Sequence, residues 1–408
     1  MNTHDKRFSL NGAASKRKFL ASVQFPLTVI SVLFLSFASD AAEWKSRALG
    51  RSVPYVVHRP EKPSAGMPAV VYLTHLPTPR IGGESDENLI QGFLKAGLLV
   101  FTVDYQNDPK AAAPELMFDI DDWYGLLSET KDSPVDPDWI YILPAGYALD
   151  RKVDICEVQG KMARMDVFYP SRPARPVPLV LQISSTKNYG KWINLRACYM
   201  YGLLTAGYAG AVMQWNGGEK VSPRGTVFPE KHAARLLQAR ADHWGLSGKL
   251  GVTGHSKGSS RAAVAALVNE TDCEADQGPH ANQSSRFQAA LISAGQHDKA
   301  HLDEDGFLDQ VGSRKREALL ASRKNKPSED EGGESSSDFA SKDDPPVFLS
   351  VGAQDKPFRV AQMKRLAAKC QEAGILYKLV VQPGMGHMYN PNPDVIREIF
   401  AYFDKQLK

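Results

Sequence analysis

Between Lys249 and Ala263 the chain carries a short apolar run, then Gly254-His255-Ser256-Lys257-Gly258, then a stretch of small residues at helical density. A serine placed at a tight strand-to-helix turn projects its hydroxyl out of the backbone above a helix N-terminus, and flanking glycines keep the turn uncrowded. Taken alone the pattern is weak, because a serine between glycines is ordinarily a turn residue. To become a nucleophile it needs a base for its proton and a carboxylate to hold that base.

Both residue types occur downstream in loops that follow apolar runs. Pro346 to Gly352 reads as a buried strand leading into Ala353-Gln354-Asp355-Lys356-Pro357, and a helical stretch from Val360 to Ala373 follows. The strand Leu376 to Gln382 then runs into Pro383-Gly384-Met385-Gly386-His387-Met388, which holds the only histidine beyond position 301. Asp343 and Asp344 precede their strand and so belong at its opposite edge. Asp355 could instead cap a helix, His387 could face solvent, and His255 reads as a packing residue of the turn.

On these three motifs, in this order, residues 153–408 resemble the α/β-hydrolase family, whose triad runs Ser, acid, His. The resemblance implies a mostly parallel sheet with helices on both faces and a site at the C-terminal ends of the strands. It further implies Ser256 as nucleophile, Asp355 as acid and His387 as base, with no cofactor and no metal. Two backbone N–H groups are then expected to meet the developing oxyanion. One belongs to Lys257, the residue after the nucleophile. The other is expected after the strand Pro178 to Ile183, where Ser184 to Thr186 are candidates and Ser185 is the chosen one. Here the chain departs from the family, since many esterases carry His-Gly or His-Gly-Gly-Gly at that point.

Upstream, residues 53–106 read as a worn copy of residues 166–216: strand, strand, helix, strand, with Gly92 to Val100 aligning on Gly202 to Gly210. A helix from Pro114 to Glu129 and a strand ending at Pro144-Ala145-Gly146 follow, but no serine stands at that last turn. A generic likeness between two α/β stretches is the alternative. The copy is expected to be structural or substrate-shaping, with His75 a remote candidate for an oxyanion loop. The domains expected are a signal peptide over 1–42, an N-terminal α/β extension resembling a partial repeat over 43–152, and the hydrolase domain over 153–408 with a flexible insertion at 297–345.

The first 42 residues differ in kind. Lys16-Arg17-Lys18 precedes an apolar run from Phe25 to Ala38 and a small-residue segment ending at Ala41-Ala42, the pattern of a secretory signal. That run is short of the roughly 20 residues a membrane span needs, so no stable span is expected after processing. Export permits disulfides, yet the four cysteines, Cys156, Cys198, Cys273 and Cys370, are scattered and equally suit buried thiols. Lys and Arg total 49 against 46 Asp and Glu, a net charge of +3, and no basic cluster interleaved with aromatics occurs beyond the N-terminus. Nucleic acid is not an expected partner.

Within the insertion, Gly295 to Gly306 is dense in potential metal ligands but fits no strong template, and a solvated loop is the plainer reading. Asn325 to Pro345, rich in Glu, Asp, Ser and Lys, reads as a mobile flap, and Trp215-Asn216 as core or pocket lining. The expected function is an exported serine hydrolase cleaving carboxylic esters of small molecules or polysaccharides. Serine peptidase and non-catalytic binding protein or scaffold are the alternatives.

Overall fold

The computed structural model describes residues 41–112, 116–129, 135–158, 160–184, 198–214, 229–269, 278–298, 301, 304–307, 316–317, 335–387 and 393–408. Ser185, Trp215, Asn216, Cys273 and residues 1–40 of the expected signal segment lie outside them, while its last two residues, Ala41 and Ala42, are described. The strands are β1 (Ala41–Lys45), β2 (Ser52–His58), β3 (Met67–Thr74), β4 (Leu99–Asp104), β5 (Val135–Pro144), β6 (Tyr147–Val158), β7 (Lys161–Pro170), β8 (Val177–Ser184), β9 (Ala209–Gln214), β10 (Leu246–His255), β11 (Ala289–Ser293), β12 (Val347–Gly352) and β13 (Tyr377–Gln382). The helices are α1 (Asp86–Lys95), α2 (Leu116–Glu129), α3 (Cys198–Thr205), α4 (Pro229–Ala239), α5 (Ala241–Trp244), α6 (Lys257–Leu267), α7 (Pro357–Ala373) and α8 (Pro393–Leu407).

Two sheets result. One has the order β1-β2-β4-β3-β5; the other, of eight strands, runs β13-β12-β11-β10-β8-β9-β7-β6. In the larger sheet β9, β8, β10, β11, β12 and β13 are mutually parallel, while β7 and β6 turn antiparallel at one edge. Parallel strands need both faces covered, and β8 accordingly is buried along its whole length. A Cβ on Gly251 of β10 would lie 3.0 Å from both Phe403 and Leu407, so α8 covers that face. Its neighbours Leu250 and Val252 point the other way, into a core shared with Ala262 and Ala263 of α6.

The smaller sheet repeats the pairing of the larger one strand for strand. β2 is antiparallel to β4, β4 parallel to β3, and β3 parallel to β5, as β7 is to β9, β9 to β8, and β8 to β10. The difference comes at the end. After β10 the chain enters α6, whereas after β5 it turns at Gly146 (φ +83°) directly into β6. A strand-turn-strand connection offers no helix N-terminus, so no counterpart of the Ser256 turn can form there.

The expected boundary after residue 152 falls inside β6, which belongs to the larger sheet, and Ala41–Lys408 form one unit. Buried hydrogen bonds join the two sheets. Tyr141 Oη of β5 donates to Asp166 of β7 at 3.0 Å, and Tyr201 Oη of α3 donates to the carbonyl of Ile140 in β5 at 3.2 Å. Gly82 lies so close to Gly146 that an added Cβ would sit 1.8 Å from the Gly146 carbonyl oxygen. Cys156 and Cys370 are buried, and burial pushes the Cys370 thiol up to about 12. Among the described residues no helix is long and apolar enough to cross a membrane.

The insertion departs from the expected solvated loop and flap in the parts described. His297 and Asp298 are buried, and both backbone N–H groups donate to Gln362 Oε1 at 2.8 Å. Ser335, Ser336 and Ser337 are buried too, at a 3-10 turn (Ser336–Phe339) where Ser337 Oγ donates to His297 O at 2.8 Å. Among the described residues no group of ligands could hold a metal ion; Asp305 instead pairs with Arg365 at 2.9 Å and His301 with Asp298 at 2.8 Å.

Two buried titratable groups here make opposite predictions. Burial lowers His297 to about 3, so as pH falls below about 6.5 the unfolded chain takes a proton that the folded chain refuses. Stability is expected to drop by about 4 kcal/mol between pH 6.5 and 3 through this group alone, and urea titrations of a His297→Gln variant should lose much of that acid limb. Burial raises Asp344, at the N-terminal edge of β12, to about 6. Its contribution is therefore present below pH 4 and lost as pH rises through 6. Asp344→Asn should stabilise the fold at pH 8 by about 1–3 kcal/mol and change nothing at pH 3.5.

Candidate active site

The turn after β10 has the geometry its sequence demands. Ser256 adopts φ 56° and ψ −121°, a conformation L-residues avoid, and holds it because Ser256 N donates to Ser293 O of β11 at 2.9 Å. A Cβ on Gly254 would lie 2.2 Å from Gly258 O, and one on Gly258 would lie 2.3 Å from Ile183 O of β8. Both glycines are thus required by close backbone approach. Lys257 is the first residue of α6, where helix N–H groups lack an intrahelical acceptor.

The acid and base loops are stitched together. Gln354 N donates to Met385 O and Ala353 N to Gln382 O, each at 2.8 Å, and a Cβ on Gly352 would lie 2.2 Å from Met385 O. This fixes Asp355, whose side chain is fully buried, against His387, which is 38% exposed. His387 Nδ1 donates to Asp355 Oδ2 at 2.7 Å, and Ser256 Oγ lies 3.0 Å from His387 Nε2, with the hydroxyl as donor. The other Asp355 oxygen accepts Lys356 N–H at 2.7 Å and lies 3.7 Å from Arg359 Nε. Burial alone would raise Asp355, but the His387 hydrogen bond, the Lys356 N–H and the charges of His387 and Arg359 outweigh it and hold the carboxyl below its ordinary range.

All three residues expected to form a triad therefore meet at the C-terminal ends of β10, β12 and β13. Lys257 lies beside them, while Ser185 lies outside the described residues. His255 does more than pack. Its ring stands 4.9 Å from that of His387, its Nε2 donates to His387 O at 3.2 Å, and Ser293 Oγ is 3.4 Å from its Nδ1. It thereby fixes the backbone of the base.

Arg359, on the first turn of α7, was not singled out by the sequence. Its Nη1 donates to Ala294 O at 2.7 Å and lies 3.4 Å from Ser256 Oγ. Its position four residues beyond Asp355 is the one available signal, since that spacing brings two side chains to one side of a helical turn. The arrangement can transfer the Ser256 proton to an imidazole whose tautomer and positive charge are stabilised by a buried carboxylate.

Residues 165–370, half of the chain, match the BD-FAE family model. A truncated carbohydrate esterase from gut microbiota superposes with a TM-score of 0.51 at 21% identity, over 64% of this chain and 97% of that one. A bifunctional GH43-CE protein of Bacteroides eggerthii gives 0.52 at 19% identity, over 64% of this chain and 38% of the other. At such identities the likeness establishes the fold. No curated protein sequence matches the chain. The family match reaches from β7 through α7 and so contains the serine turn and the acid loop, which makes this chain a member of the BD-FAE family, an α/β-hydrolase-type family of carboxylic ester hydrolases.

Proposed function

We propose that the protein is an exported serine esterase acting on acylated carbohydrates through an acyl-enzyme. The observation that carries this reading is the hydrogen-bonded relay of 3.0 and 2.7 Å from Ser256 through His387 to Asp355. In the first half-reaction Ser256 Oγ attacks the ester carbonyl carbon as its proton passes to His387 Nε2. Negative charge collects on the carbonyl oxygen, where the Lys257 N–H at the start of α6 serves as a donor. Collapse of the tetrahedral adduct expels the alcohol, which takes the proton back from His387 and leaves the acyl group on Ser256. Water then repeats the attack with the roles of His387 unchanged, releasing the carboxylic acid and restoring the hydroxyl.

Export rests on the basic segment and apolar run before Ala41. The carbohydrate class rests on the likeness to the truncated carbohydrate esterase from gut microbiota. A panel of acetylated, feruloylated and methylated polysaccharides, with lipid esters and peptide amides beside them, tests the reading. Release of acid from acylated glycans is expected; turnover confined to lipid esters or to amides would refute the carbohydrate assignment.

A further inference from the structure

A second cavity lies at the C-terminal edge of the smaller sheet, the position at which the larger sheet carries its active site. It has a volume of about 430 Å3, within the range of small-molecule sites. Its walls come from the loop after β3 (His75, Thr78, Arg80), from Asn107 after β4, from the Pro144-Ala145 turn after β5, and from Leu204 and Thr205 at the end of α3.

Three features mark it as a built site. Eight non-glycine residues among those described have positive φ; Ser256 and Ala294 flank the catalytic serine turn, and His75 (47°), Gln106 (55°) and Asn107 (56°) gather at this second edge. Backbone strain of this kind persists where the surrounding structure over-determines it. Here Asn107 N donates to His75 O at 2.6 Å, and Asp104 Oδ1 accepts both the His75 Nδ1 proton and the Gln106 N–H at 2.8 Å. His75 is thus oriented by a carboxylate, as His387 is, although by strand register Gly146 stands where the larger sheet has Ser256. The loop bearing His75, Thr78 and Arg80 is anchored at its far end by the close approach of Gly82 to Gly146.

The wall chemistry selects the ligand. Arg80 is consumed by Asp86 at 2.7 Å and by the Gly82 carbonyl at 2.9 Å, so no uncompensated cation is offered to an anion. What remains is the polar donors and acceptors of Asn107, Thr78 and the His75 imidazole, set among Leu76, Pro77, Pro79 and Pro144. Hydroxyl groups need the former and the C–H faces of a pyranose pack on the latter. We infer that this cavity is a non-catalytic site for neutral sugar residues of a glycan. The inference leans on the carbohydrate-ester reading above, and its test is chosen to fail separately.

Unacylated xylotetraose, cellotetraose and mannotetraose are titrated into the full chain by calorimetry, beside hydrolysis of an aryl acetate and of acylated polysaccharide. At least one tetraose is expected to bind, with affinity falling tenfold or more in His75→Asn, which tolerates the left-handed backbone, and in Thr78→Trp, which fills the cavity. Aryl-acetate hydrolysis should be unchanged in both. Binding by none of the three sugars, or binding that both variants leave intact, overturns the site even if acylated glycans are cleaved. Cavity-dependent binding without cleavage of acylated glycans would leave the site standing and remove the carbohydrate-ester reading.

Discussion

Replacing Ser256 by alanine is expected to lower kcat/KM for an aryl acetate by about 10⁴- to 10⁶-fold while leaving the thermal unfolding midpoint nearly unchanged. The size of the effect follows from the relay. Without Oγ there is no atom for His387 to deprotonate, and the only remaining route is direct attack by water helped by oxyanion donors and substrate binding. The fold should tolerate the change because the turn is held by backbone bonds, Ser256 N to Ser293 O and Ser259 N to Ser256 O, that alanine keeps. Retention of more than about a tenth of the activity would mean that another group attacks the ester.

Asp355→Asn is expected to reduce kcat by about 10⁴ near neutral pH with little loss of binding. In the wild type the buried carboxylate accepts the Nδ1 proton at 2.7 Å, which leaves Nε2 free to accept from Ser256. An amide can present its N–H to Nδ1 and so favour the opposite tautomer, placing the proton on Nε2 where the hydroxyl proton should go. It also removes the charge that stabilises the imidazolium. Since Asp355 stays ionised below the ordinary carboxylate range, the wild type should not lose this contribution on acidification to pH 5. Measured kcat across pH 5 to 9 checks this: a variant within tenfold of wild type at pH 7 would take the acid role away from Asp355.

Much of the site was legible because each of its three members sits in a local motif at a strand end. Strand, tight turn and glycine spacing are encoded over a few residues, and the parallel topology then converts sequence order into spatial convergence. Arg359 was not legible, since its role depends on Ala294 O and Ser256 Oγ, more than sixty positions away. His255 likewise gains its part from a carbonyl 132 residues on.

The repeated half was readable from its apolar strands and the Gly97 and Gly207 turns, both with positive φ. Strand β6 was not, because its apolar alternation is broken by charged residues around Lys152, where φ is 54° and the pairing slips. The serine-rich segment before β12 read as mobile from composition alone. In the fold, Ser335 and Asp338 bond each other's backbone in a capping box and Ser337 satisfies His297 O, so polar residues are buried with partners that the linear sequence does not reveal.

The central claim is that Ser256 is the hydroxyl activated by His387. The most direct measurement is peptide mapping by mass spectrometry after treatment with a fluorophosphonate, run on the wild type and on His387→Ala. A single adduct on the peptide containing Ser256, formed rapidly in the wild type and slowed by several orders of magnitude in the variant, is the expected result. An adduct on any other residue, or one on Ser256 that forms equally fast without the imidazole, would contradict the account.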